Sequence, residues 1–384
     1  MAELTTTTQA AGPSAMVVGT AQARIWGMTP AERLERIYQR LGLAASGAAG
    51  AAPDPEHGVV AADAGWVFDE SLIKALAERP EVVLTDAAGT PVAVHGRGAA
   101  MAQALEKLAA GASLAEAVPE AYPRLGPLEL GSAYNSALRK REPPVLERLT
   151  PENRAAVEKR LFQGSYKGVT DVVTKYLWPP PARVVTRWCA LAKMTPNQVT
   201  FIGFLLVLAA FYLFWTGHFG WGLVCAWIMT FLDTVDGKLA RVTLTSSKIG
   251  NVFDHGIDLI HPPFWWWAWL VGVQAGPHPV SAPGLILAVI VGGYVFQRVL
   301  EGIFLALFKV EMHAWRPFDS FFRLITARRN PNLILLTLAA LAGRPDIGLV
   351  AVAVWTALSL LVHLVQVLQG AATPKGQVVS WLSR

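Results

Sequence analysis

The chain has 384 residues, of which 53% are hydrophobic and only 16% are charged. Average soluble domains carry about 25% charged residues, and most of the charge here precedes Lys193. The composition therefore predicts a soluble N-terminal part followed by a membrane part. A formal net charge of +5 without a basic run interleaved with aromatics argues against a nucleic-acid partner and suits cytoplasmic membrane loops.

Local patterns before residue 146 predict a small cytoplasmic α/β domain at residues 23–145. Residues 1–22 are rich in Thr, Ala and Gly and are predicted to be disordered, without the basic and apolar runs of a secretory signal. Helices, loops and a hairpin follow from periodicity and turn residues: helices at 29–43, 69–79, 101–110 and 134–140, a loop at 44–58, and a hairpin from 81–86 and 91–96.

Residues 146–195 are predicted to be juxtamembrane helices. Within them, residues 151–173 form an amphipathic stretch with four basic side chains, which favours an interfacial helix that faces anionic headgroups.

Long apolar runs then predict a membrane all-α domain of six transmembrane helices at residues 196–370. A bilayer core requires about 20 apolar residues per helix. The predicted spans are 199–215, 221–239, 252–273, 282–308, 333–342 and 347–368. The basic loop 309–329 places the N-terminal domain and the tail 371–384 in the cytoplasm of a bacterial-type inner or plasma membrane.

Four carboxylates lie where the second and third spans meet the membrane surface. Asp233 and Asp236 are spaced i, i+3, and Asp254 and Asp258 are spaced i, i+4, so each pair occupies one helical face. The intervening loop allows the two helices to run antiparallel, and the faces can meet. Such a cluster ionises fully only if cations neutralise it. Oxygen ligands favour hard ions such as Mg²⁺, Mn²⁺ or Ca²⁺, and two ions, Mg²⁺ or Mn²⁺, are expected as the cofactor.

The same window resembles the complete signature of the CDP-alcohol phosphotransferase family. All eight defining positions match: Asp233, Asp236, Gly237, Ala240, Arg241, Gly250, Asp254 and Asp258. The resemblance covers about residues 179–368 and implies a six-helix membrane fold.

The resemblance also implies residue roles. Asp233, Asp236 and Asp254 bind metals, and Asp258 is the base, with metal contact also open to it. The CDP pocket is expected to include Asp233, Asp236, Gly237, Ala240, Arg241 and Gly250, together with Asn197 and Thr200 from the run Thr-Pro-Asn-Gln-Val-Thr at 195–200.

The N-terminal part resembles fusion proteins in which a sugar-nucleotidyltransferase-like domain precedes such a transferase. The glycines of residues 44–58 lack the basic residue of a nucleotide loop. This domain is therefore expected to be degenerate and non-catalytic.

The implied function is transfer of a substituted phosphate group from a CDP-linked donor, CDP-diacylglycerol before others, to an alcohol acceptor in phospholipid biosynthesis, with CMP released. Candidate acceptor residues are Arg298, Lys309, Arg328 and Arg329, although Arg298 can instead pair with Glu301. Membrane lipid and a second copy in a homodimer are the expected partners.

Two alternatives remain open on the residues alone. An intramembrane prenyltransferase also uses Asp-rich helices with Mg²⁺, and a cation transporter also gathers carboxylates within a membrane.

Overall fold

The computed structural model describes residues 12–45, 53–246, 248–374 and 376–383, and at residues 45, 248, 249 and 251–255 it describes the backbone alone. The chain divides into two units. The first comprises residues 1–135 and 142–164, and the second comprises residues 136–141 and 165–384.

The first unit contains a six-stranded mixed sheet with helices. In chain order its elements are β1 (Ser14–Val18), α1 (Pro30–Leu41), β2 (Ala44–Ala45), β3 (Val59–Asp63), β4 (Trp66–Phe68), α2 (Glu70–Ala77), β5 (Val82–Thr85), β6 (Pro91–Gly96), α3 (Gly98–Ala109), α4 (Leu114–Ala117), β7 (Arg124–Leu125), α5 (Pro127–Leu130) and β8 (Tyr134–Asn135), and after β9 (Lys140–Arg141) of the second unit, β10 (Leu146–Arg148) and α6 (Arg154–Gly164). The sheet order is β2-β1-β3-β6-β5-β7.

Several predicted elements of this unit are confirmed. The Thr-Pro helix start is a capping box, in which Thr29 and Glu32 exchange hydrogen bonds at the beginning of α1. Strands β5 and β6 form the predicted antiparallel hairpin. The predicted α/β character of the N-terminal part follows from these elements.

Two predictions about the N-terminal part are wrong. Residues 14–18 are not disordered, because they form β1, which pairs parallel with β3 and packs Met16 and Val18 against a core of the sheet. Residues 134–140 are not helical, because Tyr134–Asn135 are a strand and residues 136–139 are a turn in which Arg139 takes a left-handed backbone conformation (φ 50°). Of the predicted loop 44–58, Ala44–Ala45 form β2, and residues 46–52 lie outside the described residues.

The predicted interfacial helix is shorter than residues 151–173, because α6 ends at Gly164. Its apolar residues Val157 and Phe162 are buried, and the Phe162 ring stacks on Trp26 within the first unit. Gly168 lies against the Arg139 carbonyl, where a Cβ atom would have no room, so the chain there is irregular. Arg154 and Lys159 remain exposed on the other side of the helix, and an interfacial position of this helix stays a prediction.

The second unit is helical. After a π-helical turn at Val173–Leu177, its helices are α7 (Pro179–Leu191), α8 (Pro196–Trp215), α9 (Phe219–Val242), α10 (Lys248–Gln274), α11 (Pro283–Phe308), α12 (Pro317–Phe322), α13 (Arg329–Leu341) and α14 (Pro345–Ala372), with 3₁₀ turns at Met312–Ala314 and Trp381–Ser383. A helix therefore lies at each of the six predicted spans.

Within the part of the chain that the structure describes, three of these helices, α8, α11 and α14, are long and apolar enough to cross a membrane. Helix α13 has 13 residues, which at 1.5 Å per residue extends about 20 Å, less than the hydrocarbon core of about 30 Å. The tryptophan cluster of α10 is mainly a packing surface, because Trp265, Trp266 and Trp269 are fully buried beside Phe214.

Candidate functional site

Helices α8, α9, α10 and α13 surround the carboxylates that the sequence singles out. Helix α9 packs against α8 and α13, and α10 packs against α8. Asp233 and Asp236 lie near the C-terminal end of α9, and Asp258 lies in the first half of α10. Helical spacing alone puts each pair on one face, and packing of the two helices on α8 brings these faces together.

Of the three site carboxylates whose side chains the structure describes, Asp236 is the most buried, with 4% of its surface exposed. Its Oδ2 accepts a hydrogen bond of 2.5 Å from the hydroxyl of Thr200 on α8. Its Oδ1 is buried and has no hydrogen-bond partner among the described residues. A buried carboxylate oxygen left without a donor is costly, and it is a ready ligand for a cation.

Asp233 and Asp258 are joined through Arg329, the first residue of α13. The Nη1 of Arg329 donates to Oδ1 of Asp258 at 2.5 Å, and Nη2 of the same guanidinium donates to Oδ2 of Asp233. The side chains of Arg329 and Asp233 are 15% and 19% exposed, and that of Asp258 is 38% exposed. One guanidinium therefore draws the carboxylates of two helices to the same place.

Asp254 lies on α10 one turn before Asp258, and its side chain lies outside the described residues. Gly250, also on α10, is half-buried. The backbone of α10 thus supports the i, i+4, i+8 spacing that the sequence predicts for these three positions.

Gly237 makes room for Arg241. A Cβ atom at Gly237 would lie 3.0 Å from Nη2 of Arg241, one helical turn later. The glycine thus allows the guanidinium to fold back along α9, where it can meet a phosphate. Ala240, between them, is half-buried.

Residues 195–200 form the N-cap and first turn of helix α8. Thr195 is the N-cap of α8 and forms a capping box with Gln198. Thr200 reaches the site through Asp236, whereas the side chain of Asn197 is exposed. The geometry thus brings Thr200 to the carboxylates and leaves Asn197 at the rim.

The carboxylate site fits divalent ions. Asp233, Asp236 and Asp258 supply oxygen ligands, which Mg²⁺ and Mn²⁺ prefer. The unpartnered Oδ1 of Asp236 is the observation that favours this fit. Two divalent ions bound there would neutralise the negative charge of a diphosphate.

A second polar cluster surrounds Glu301 on α11. Arg298 pairs with Glu301 at 3.3 Å, as its i, i+3 spacing predicts. Arg328 donates from Nη2 to both carboxylate oxygens of Glu301 at 2.5 Å. Arg328 and Arg329 are thus adjacent in sequence and bind carboxylates of two different clusters.

Two histidines complete this cluster. His313 and His363 are 3% and 0% exposed, and their ligand atoms lie within 4.8 Å of one another and of Glu301. Burial lowers the pKa of His313 to about 3, so its ring is neutral. Because Arg328 and Arg298 already satisfy Glu301, an added metal cation is disfavoured, and the excess of positive charge suits an anion.

Arg323 adds to this excess. Its Nε and Nη1 atoms are buried and have no hydrogen-bond partner among the described residues. Burial lowers the pKa of the Arg323 guanidinium well below its ordinary value, and Arg328 acts in the same direction. These are the features of a donor group arranged for a negatively charged ligand.

Asp171 fixes the start of α13. Its Oδ1 accepts from Nδ2 of Asn330 at 2.9 Å and from the backbone N–H of Thr174 at 3.0 Å. Burial alone raises the pKa of Asp171, but Arg323 and these hydrogen bonds outweigh it and hold the pKa below its usual value. The residue after Arg329 is therefore held in place.

The four candidate acceptor residues do not form one group. Arg298 and Arg328 lie in the Glu301 cluster, Arg329 lies between the carboxylates, and Lys309 is exposed in a left-handed conformation at the end of α11. Sequence reasoning missed Arg323, His313 and His363. The loop around Arg323 and His313 was interpreted by its charge alone, and His363 is one of several polar residues scattered along an otherwise apolar helix.

Part of the chain also resembles a known protein family. Residues 193–362 match the family model described as CDP-alcohol phosphatidyltransferase.

Curated relatives match the same kind of protein over shorter stretches. The chain is 32% identical over 120 residues to choline/ethanolaminephosphotransferase 2 of Arabidopsis thaliana, covering 28% of this chain and 29% of that protein. It is 40% identical over 79 residues to archaetidylinositol phosphate synthase of Pyrococcus horikoshii, covering 20% and 42%. It is 35% identical over 83 residues to phosphatidylinositol phosphate synthase of Mycobacteroides abscessus, covering 20% and 38%. The chain thus spans less than half the length of each of these relatives.

Proposed function

We propose that the chain, whose residues 193–362 match the CDP-alcohol phosphatidyltransferase family model, transfers a substituted phosphate group from a CDP-linked donor to an alcohol and releases CMP. The observation that carries this proposal is the convergence of Asp233 and Asp258, from two helices, on one guanidinium. Asp236 lies one turn after Asp233, and its buried Oδ1 has no hydrogen-bond partner among the residues that the structure describes.

Two divalent ions, Mg²⁺ or Mn²⁺, are proposed to bind Asp233, Asp236, Asp254 and Asp258. When bound, they neutralise the diphosphate of the donor and stabilise CMP as it leaves. Support comes from the acidic oxygen set and from the unpartnered Oδ1 of Asp236. Thr200 orients Asp236, and Arg241, with Gly237, Ala240, Gly250 and Asn197, lines the CDP pocket.

The proposed reaction is a direct displacement. Asp258 takes the proton from the acceptor hydroxyl, and the oxygen forms a bond to the β-phosphorus of the donor. The bond between this phosphorus and the oxygen that bridges it to CMP breaks, and CMP departs with that oxygen. Positioning and charge compensation by fixed groups account for the acceleration.

The donor is proposed to be CDP-diacylglycerol, with a phosphorylated alcohol as acceptor. The arginines 298, 323 and 328 and the histidines 313 and 363 provide more hydrogen-bond donors than Glu301 can satisfy. A phosphate on the acceptor supplies the missing acceptors. Two of the relatives are named as phosphate-containing lipid synthases, which agrees with this choice.

The membrane arrangement is also a proposal. Six helices, α8, α9, α10, α11, α13 and α14, are proposed to span the membrane as a homodimer, with α13 supported by its neighbours because of its short length. The basic residues of 309–329 favour a cytoplasmic active site and a cytoplasmic, non-catalytic N-terminal domain.

Purified full-length protein with CDP-diacylglycerol and Mg²⁺ or Mn²⁺ tests the proposed activity. We expect CMP release that depends on one member of a panel containing inositol phosphate, glycerol phosphate and serine. Chelation of the metal is expected to stop the release. Absence of CMP release with every acceptor, and with CDP-linked polar alcohols as donors, would refute the proposal.

The same assay separates the alternatives. A prenyltransferase releases pyrophosphate rather than CMP. A transporter moves cations across proteoliposome membranes without any dependence on nucleotide.

A further inference from the structure

Arg329 occupies the middle of the carboxylate site, and we propose that it is an internal counter-cation that divalent ions displace. This inference rests on the proposed function, because it takes Asp233 and Asp258 as metal ligands. It assigns to Arg329 a role in metal loading in place of a direct role in acceptor binding.

The contacts of Arg329 are those of a bridging cation. A guanidinium commonly binds one carboxylate through two parallel hydrogen bonds. Here Nη1 donates a hydrogen bond of 2.5 Å to an oxygen of Asp258 on α10, and Nη2 donates one to an oxygen of Asp233 on α9. The guanidinium thus uses one oxygen from each of two predicted metal ligands, as a metal ion does.

Charge balance requires Arg329 to leave. Four ionised aspartates carry four negative charges, which two divalent ions neutralise completely. A guanidinium that remained between Asp233 and Asp258 would add a fifth positive charge at short range and in a partly buried place, where repulsion is weakly screened. The diphosphate of the donor is then the natural counter-anion of the displaced side chain.

The surroundings allow the side chain to move while the helix stays. Asn330, the next residue, is held by Asp171 and Thr174, at 2.9 Å and 3.2 Å. Beyond the two carboxylates, Arg329 touches the soft sulfur of Met229, with Nη1 at 3.8 Å from Sδ. The long arginine stem can therefore swing without unwinding the start of α13.

Mn²⁺ binding to the full-length protein in detergent, without donor, tests this role directly. Free Mn²⁺ is followed by its electron paramagnetic resonance signal during a titration. Because removal of Arg329 removes the competing charge, Arg329→Gln is expected to lower the Kd for Mn²⁺ by tenfold or more. Arg344→Gln is the matched control, since it removes an arginine that pairs with Asp346 at the start of α14, and its Kd is expected to equal that of the natural protein.

A second variant guards against a folding defect. Arg329→Lys keeps one positive charge but can contact only one carboxylate closely, so an intermediate Kd is expected. An unchanged or higher Kd in both Arg329 variants would overturn the proposal and would assign Arg329 to holding the ligands in place.

The outcome is separable from that of the proposed function. CMP release by the natural protein tests the transferase activity, and the donor-free titration tests Arg329. A natural protein that releases CMP while Arg329→Gln binds Mn²⁺ no more tightly refutes this inference alone. Failure of the natural protein and both variants to bind Mn²⁺ refutes the inference together with the metal site.

Discussion

The hydroxyl of Thr200 on α8 donates a hydrogen bond of 2.5 Å to Oδ2 of Asp236 on α9. The other oxygen of this carboxylate is buried without a partner among the described residues. Thr200 therefore fixes the rotation of Asp236, so that one oxygen is used internally and the other remains available. The capping box at the start of α8 holds Thr200 one turn into a well-defined helix.

Thr200→Val tests this orientation with a side chain of nearly the same shape. Loss of a hydrogen bond to a charged group costs about 1.5–3 kcal/mol, so kcat/KM for CMP release is expected to fall roughly 10- to 100-fold. Thr200→Ser keeps the hydroxyl and is expected to retain most activity. Equal activity of the valine and serine variants would show that the contact has no catalytic importance.

Asp258→Asn addresses the proposed base. An amide cannot take the proton of the acceptor hydroxyl. Because general-base catalysis contributes about 10²- to 10⁴-fold, kcat is expected to fall by a factor within that range or larger. Binding of CDP-diacylglycerol, followed by isothermal titration with metal present, is expected to remain largely intact. Near-normal turnover would remove Asp258 from this role.

Much of the carboxylate site could be predicted because it depends on local spacing. Asp233 and Asp236 share a face at i, i+3 wherever a helix forms, and the loop before α10 sets the second face beside the first. Arg329 could not be predicted to lie between them. It lies on a different helix, 71 residues after Asp258, and a contact over that separation leaves no helical periodicity in the sequence.

The failures at the N-terminal part have the same physical origin. Residues 14–18 carry little local signal, yet they form a strand because β3 provides a pairing partner. The stretch around Arg139 has helix-forming residues, but residues 136–139 form a turn in which Arg139 is left-handed, so no helix forms there. The amphipathic pattern of α6 was recognised correctly, whereas the surface that covers it, which includes Trp26, was not apparent from periodicity.

Gly237→Ala tests whether the Arg241 guanidinium needs the space beside Gly237 for its position. The new Cβ would lie 3.0 Å from Nη2 of Arg241, which is the mobile end of a long side chain, so the protein is expected to fold while the guanidinium shifts. We expect the KM for the CDP donor to rise about tenfold, as for the loss of one charge-assisted hydrogen bond.

Gly292→Ala is the control for this change. Gly292 also lies within an apolar helix, α11, and a Cβ atom there meets nothing within 4 Å. Its kinetic constants are expected to match those of the natural protein. A donor KM that is unchanged in Gly237→Ala would separate Arg241 from the CDP pocket.

Arg323→Gln tests whether the acceptor carries a phosphate. The Nε and Nη1 atoms of Arg323 are buried without acceptors among the described residues, and Arg328 and Arg298 add positive charge nearby. Because a phosphate on the acceptor satisfies such donors, the KM for a phosphorylated alcohol is expected to rise tenfold or more, as for the loss of about 1.5–3 kcal/mol. The KM for an unphosphorylated alcohol is expected to stay constant, and the exposed Arg183 on α7 provides a control in Arg183→Gln. An equal rise for both kinds of acceptor would indicate that Arg323 supports the fold of this region rather than binding phosphate.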